Sequence, residues 1–246
     1  MYRGLKSILK TLIPKKVLFY HEPKFRFLLY QFYKGSAFEC RLCGKKLRKF
    51  ILLEDGEKLC PSCGSLSRTR RLWDFLQTTG LLKEGISILD FSPSRSFYRR
   101  MKNHTDIHYS STDLSGDFIS DFHYDITNIP VETGKYDLII CYHILEHIPE
   151  DLKATQELHR VLRSGGTCLI QTPFREGEIY EDPSINNDQD RIKHFGQNDH
   201  VRIYSAAGLK DRLVKTGFQV TVREFTEPDD NRFGYKSKEK VLICTK

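Results

Sequence analysis

The chain predicts an α/β protein, a mostly parallel sheet covered by helices, with a small cysteine-held module near its start. Three observations carry this reading. From residue 86 onward, short apolar runs alternate with segments of helical periodicity, the pattern of strands joined by helical crossovers. Ahead of them stand two Cys-x-x-Cys-Gly pairs. Charge divides the chain in the same place: residues 1–34 carry a net +7, residues 35–72 a net +5 and residues 73–246 a net −5.

With 39% hydrophobic and 29% charged residues over 246 positions, the composition is that of a globular protein and excludes a disordered one. No run approaches the roughly 18 apolar residues of a spanning helix. Lysines interrupt every apolar stretch of the first thirty residues, which argues against a secretory signal. Seven cysteines, four of them in close pairs, suit metal ligation in a reducing compartment better than disulfides, so a cytoplasmic location is expected. The organisation expected is a basic helical segment over 1–36, a cysteine module over 37–72 and a catalytic-sized domain over 73–246.

Leu5, Ile8, Leu9, Leu12 and Ile13 fall on one helical face that Pro14 ends. A second helix is expected to start at Pro23, to run through Phe25, Leu28, Leu29 and Phe32, and to stop at Gly35. Such basic amphipathic segments either meet an anionic partner, a membrane surface or nucleic acid, or pack on the neighbouring domain. Residues 1–34 leave both readings open.

Cys40, Cys43, Cys60 and Cys63 have the spacing of a four-cysteine zinc site. Two residues between paired thiols let one tight turn aim both sulfurs at a tetrahedral ion, and the following Gly44 and Gly64 permit the backbone angle that completes it. Four thiolates close the coordination sphere, so the Zn2+ is expected to be structural. The run Ser67-Arg68-Thr69-Arg70-Arg71 either grips phosphate or begins the helix that reaches Trp73, Phe75 and Leu76.

In the body, strands are expected over 86–91, 107–112, a short one ending near Asp125, then 136–142 and 167–172. A helix over 150–162 closes at Gly165-Gly166, Ser205 caps another through Lys215, and closing strands follow at 218–223 and 241–245, seven strands in all. Only about eight residues separate Asp113 from the third strand, too few for a helical crossover, which usually takes a dozen or more.

The stretch Lys135-Tyr136-Asp137-Leu138-Ile139-Ile140-Cys141-Tyr142-His143-Ile144-Leu145-Glu146-His147-Ile148-Pro149, the helix end Val161-Leu162-Arg163-Ser164-Gly165-Gly166 and the run His194 to Tyr204 resemble class I S-adenosylmethionine-dependent methyltransferases. Within that class the likeness is to bacterial proteins whose type 11 methyltransferase domain follows a cysteine module, and it covers residues 86–246. It implies a Rossmann-like seven-stranded sheet with helices on both faces, binding S-adenosylmethionine beyond the carboxyl ends of the strands.

The resemblance implies Asp90 under the methionine end of the cofactor, Asp113 on the ribose, Asp125 and Ile126 at the adenine, and Cys141 and Tyr142 beside the ligand. An acid in the place of Asp113 suits two ribose hydroxyls. The family's first loop is glycine-rich, whereas here Ser92, Ser94 and Ser96 occupy the glycine positions. Any of them needing positive φ costs of order 1 kcal/mol. Arg95 is expected to compensate by pairing with the cofactor's carboxylate.

An activated methyl needs mainly an aligned nucleophile, with a base only where that nucleophile carries a proton of high pKa. His143 and His200 are the preferred bases over His147 and His194. Residues 173–204 exceed an ordinary loop and are expected to form a substrate lid. The resemblance favours a small-molecule or glycan acceptor, while the basic start leaves RNA open as acceptor. The alternative to an enzyme is a non-catalytic zinc module binding RNA or a protein partner.

Overall fold

Two C-x-x-C turns need little chain to form, whereas a parallel sheet needs long crossovers, and the molecule divides accordingly. The computed structural model describes residues 15–246; the helix expected over Leu5–Ile13 lies outside them. The chain forms two compact units. One takes the chain up to Leu81 with Pro93–His104 and Glu227–Ser237; the other takes Leu82–Ser92, Thr105–Thr226 and Lys238–Lys246.

The first unit, the module unit, begins with α1 (Lys15–Gln31). Pro23 lies inside this helix instead of opening it. Of the expected apolar stripe, Phe25, Leu28 and Phe32 are 68%, 61% and 73% exposed, so that stripe is not a buried face. Gly35 does not stop the helix either. It lies in β1 (Lys34–Glu39), which pairs antiparallel with β2 (Lys46–Leu47), and a Cβ there would stand 2.7 Å from the Arg48 backbone. A second small hairpin joins β3 (Ile51–Leu52) to β4 (Lys58–Leu59).

The basic run then starts α2 (Ser67–Thr78), and its arginines turn inward. Fully buried Arg70 donates to the carbonyls of Ser65 (2.8 Å), Lys58 (3.0 Å), Phe233 (2.8 Å) and Gly234 (2.6 Å) and lies over the Phe50 ring. Arg71 stacks on Tyr235 at 4.0 Å. A guanidinium has five donors, and four buried carbonyls use most of them. The phosphate-gripping alternative is thereby excluded for Arg70. The unit also holds α3 (Arg95–Lys102), whose N-cap is Ser94.

The second unit, the sheet unit, is built on β5 (Ser87–Phe91), β6 (His108–Thr112), β7 (Tyr136–Tyr142), β8 (Leu162–Gln171), β11 (Gln219–Thr226) and β12 (Lys238–Thr245). Their order is β11-β12-β8-β7-β5-β6, with β6, β5, β7 and β8 parallel, β12 antiparallel to β8 and β11 antiparallel to β12. The sheet therefore has six strands, not the expected seven. The third expected strand is reduced to one parallel bridge between Thr112 and Phe122. No helix lies between β6 and β7, in keeping with the helix expected to be missing after the second strand.

Leu89, Phe91, Ile139, Cys141, Cys168 and Ile170 on the sheet form one apolar cluster with Ala154, Leu158 and Val161 of α4 (Asp151–Val161) and Leu209 and Leu213 of α6 (Ala206–Lys215). Ser205 caps α6, its hydroxyl accepting from the Gly208 amide. The expected lid folds partly: β9 (Tyr180–Glu181) pairs with β10 (Arg202–Ile203), and α5 (Asp188–Phe195) lies between them in sequence. No helix among the described residues is long and apolar enough to cross a membrane.

Candidate active site and metal centre

Parallel strands of one sheet end side by side, so the turns after β5, β6, β7 and β8 converge. After β5, Ser92 takes φ +48°, the left-handed region, where glycine would ordinarily stand. Its amide donates to the Thr112 carbonyl (2.8 Å) and its hydroxyl to Asp113 Oδ1 (2.7 Å). Ser115 Oγ lies 3.2 and 3.0 Å from the two Asp113 oxygens, and the Phe118 amide donates to Oδ2 at 3.2 Å. A hydroxyl bonded to a buried carboxylate outweighs a strain of about 1 kcal/mol. The serine thus keeps the turn that glycine gives, and Asp113 is the group that holds it.

Asp90 is buried in β5, and its pKa is pushed up to about 8 by burial, with the hydrogen bond from Tyr109 (2.7 Å) opposing. Asp125 is exposed and accepts from the amide and hydroxyl of Thr127, both at 2.8 Å; these bonds hold its pKa below the ordinary value. Ile126 and Cys141 are core residues of the apolar cluster. Burial pushes the Cys141 thiol well up. Tyr142 ends β7.

Ser94 and Ser96 belong to the module unit, where Ser94 Oγ accepts from the Phe97 amide at 3.4 Å. Arg95 lies in that unit too, 3.3 Å from Glu22, which also pairs with Arg26 (2.8 Å) and Arg99 (3.0 Å). Burial would raise the Glu22 pKa, but these guanidinium groups outweigh it and hold it low. Arg95 is therefore paired with an acid of its own unit.

His143, after β7, takes φ +57° and donates its amide to the Gln171 carbonyl at the end of β8 (2.7 Å). The following 3-10 turn, Leu145–His147, buries Glu146 and brings His147 beside His200, ring centroids 4.6 Å apart at 82°. His200 is buried, its Nδ1 3.1 Å from the Phe195 carbonyl, and burial with His147 alongside lowers its pKa. His194 stands apart from this group, bonded to the Tyr180 hydroxyl (2.6 Å). Glu146 was not singled out by its residue type alone; its burial supplies the signal.

In the module unit the four cysteines form one cluster, with ligand atoms all within 4.8 Å of one another. Cys40 and Cys63 sulfurs are 3.7 Å apart and those of Cys43 and Cys60 3.9 Å. A tetrahedral ion with Zn–S near 2.3 Å places its sulfurs about 3.8 Å apart, so the set fits. Gly44 (φ +68°) and Gly64 (φ +80°) take the left-handed angle, and their amides donate back to Cys40 and Cys60.

A sheet of this topology, with its polar turns gathered after the parallel strands, defines a Rossmann-like methyltransferase fold. A solved S-adenosylmethionine-dependent methyltransferase from Archaeoglobus fulgidus shares it, with a TM-score of 0.53 at 15% identity over 74% of this chain and 95% of that one. The methyltransferase domain family matches residues 66–222, and the chain belongs to that family, whose cofactor is S-adenosylmethionine. Among curated relatives, the ubiquinone biosynthesis O-methyltransferase of Psychrobacter arcticus is 26% identical over 98 residues, 37% of this chain and 38% of that protein. A probable S-adenosylmethionine-dependent methyltransferase of Mycolicibacterium smegmatis is 29% identical over 98 residues, 40% of this chain and 34% of its own length. The chain thus spans well under half the length of these two relatives.

Proposed function

We propose that the chain transfers the methyl group of S-adenosylmethionine to an oxygen or nitrogen of a small molecule or glycan intermediate, with a zinc ion on Cys40, Cys43, Cys60 and Cys63 holding the module unit. The observation that carries the reading is Ser92, held in the left-handed region at the end of β5 by Asp113 at the end of β6. Strained backbone of this kind, maintained against its cost, belongs to functional turns. Ser92 and Ser115 supply rotatable hydroxyls, so ribose hydroxyls can replace them on Asp113 without loss of hydrogen bonds. Asp90, kept largely neutral by burial, places little charge beside a bound ligand.

When bound, the cofactor supplies an activated methyl, and the chain has to position the acceptor and take its proton. His143 stands after the end of β7 and serves as the base where the acceptor carries a proton of high pKa. Arg70 and Arg71, buried in α2, no longer support RNA binding. Isothermal titration of the full chain with S-adenosylmethionine is expected to give one micromolar site that Asp113→Ala weakens at least about tenfold, the loss of a bidentate charged contact. Absence of binding at millimolar cofactor overturns the reading in favour of a non-catalytic module.

A further inference from the structure

The turn after β7 presents more ligand atoms than a proton-accepting role requires. We propose that Glu146, His147 and His200 form a second metal site, for a divalent cation of the manganese, iron(II) or zinc class, with ligands distinct from the four cysteines.

The three ligand atoms lie within 4.8 Å of one another. Ligands about 2.1 Å from an ion stand roughly 3–4 Å apart, so closure needs side-chain movement of about 1 Å or less. Both imidazoles are already oriented. His200 Nδ1 is 3.1 Å from the Phe195 carbonyl oxygen, and His147 Nδ1 is 3.1 Å from Asp199 Oδ2. Each ring thereby commits Nδ1–H to an oxygen and keeps the lone pair of Nε2 for a metal, the arrangement by which outer groups aim histidine ligands.

Glu146 gives the independent observation. It is 1% exposed, and neither of its carboxylate oxygens has a hydrogen-bond donor. His143 Nδ1 approaches Oε1 to 3.3 Å without hydrogen-bond geometry. A buried carboxylate without donors is costly, and a cation is the partner that removes the cost. Two further buried polar atoms at the same strand ends, Gln171 Oε1 and His143 Nε2, also have no hydrogen-bond partner. Edge-to-face packing explains why His147 and His200 touch, but it brings nothing to Glu146.

Two imidazoles and one carboxylate leave coordination positions open, where four thiolates leave none. The open positions suit an oxygen of the methyl acceptor, so the acceptor would be an alcohol, phenol or carboxylate able to bind a cation. That second step rests on the methyltransferase reading; cation binding itself does not.

The test uses the full chain carrying zinc on its cysteines, titrated with Mn2+ alone and followed by loss of the aqueous Mn2+ paramagnetic resonance signal. Thiolates disfavour Mn2+, so the cysteine cluster does not compete. One saturable Mn2+ per chain is expected, at least about tenfold weaker in His200→Gln and in Asp199→Asn, the usual size of a lost ligand or its orienting partner. Asp199 is largely exposed, so its variant keeps the fold even if the change at buried His200 disturbs it. Absence of bound Mn2+, or equal affinity in both variants, overturns the proposal. S-adenosylmethionine titration of the same samples reports separately on the methyltransferase reading.

Discussion

The two units solve the same problem with different principal materials. The sheet unit is held by an apolar cluster of aliphatic side chains from its strands and two helices, with Leu89, Ile139, Leu158 and Leu213 fully buried. The module unit rests mainly on buried charge, which the sheet unit uses beside its apolar cluster in Arg202 on the carbonyls of Leu145, Ile148 and Pro149: the Arg70 guanidinium on four carbonyls, Arg71 against Tyr235, Glu22 among three arginines, and four cysteines in one cluster. Two-residue and six-residue strands cannot cover a core of their own. A unit of this size therefore takes its order from ligation and buried hydrogen bonds, which fail abruptly when one partner is removed.

The sharpest way to break the comparison is to strip the zinc proposed on the four cysteines. A strong chelator, or Cys60→Ser, is expected to unfold the module unit, because structural zinc supplies of order 10 kcal/mol of folding free energy. The single tryptophan, Trp73, is buried in α2 of that unit, so its emission should shift to the red. Far-ultraviolet dichroism of the sheet should persist, and simultaneous loss of both signals would show the units to be one cooperative structure. Next in size is Arg70→Leu, which leaves four carbonyls without donors and is expected to cost about 3–5 kcal/mol in urea unfolding. A cost below about 1 kcal/mol would remove the buried arginine from the account.

The smallest effect concerns the sheet unit's own buried charge. Asp90 titrates near 8 in the folded chain, whereas an unfolded aspartate titrates near 3.9. Between these values the folded state binds the extra proton, so this residue's contribution to stability is greatest at low pH and declines as pH rises toward 8. Asp90→Asn should flatten that decline by up to about 1.4 kcal/mol per pH unit, read from urea midpoints between pH 5 and 8. An unchanged profile would place the Asp90 proton elsewhere.

What the sequence made legible was what short-range rules determine. Cys-x-x-Cys-Gly turns and the apolar runs of β5, β7 and β8 follow from spacing over a few residues, as does the missing crossover after β6. The direction of Arg70 did not, because the carbonyls of Phe233 and Gly234 that turn it inward lie far along the chain. The third strand failed for a related reason: only Thr112 and Phe122 meet in ladder geometry, and periodicity cannot tell a bridge from a strand. Of the candidate site, Asp90 near the end of β5 and Asp113 just past β6 are visible as acids at strand ends. Arg95 drew attention by standing in a glycine-poor loop, yet its nearest acid is Glu22 of α1. His200 joins Glu146 and His147 only through the folded segment after α5, and no spacing announces that encounter.

Between β11 and β12 the chain leaves the sheet unit and contributes Glu227–Ser237 to the module unit before returning. Two of the four carbonyls that receive Arg70, those of Phe233 and Gly234, lie 163 and 164 residues beyond it in the chain. Until that segment is in place, the Arg70 guanidinium lacks two of its acceptors. Excised at Leu81, the module would lack these two carbonyls, so it is not a portable cassette but a structure finished by Glu227–Ser237, a segment far along the chain.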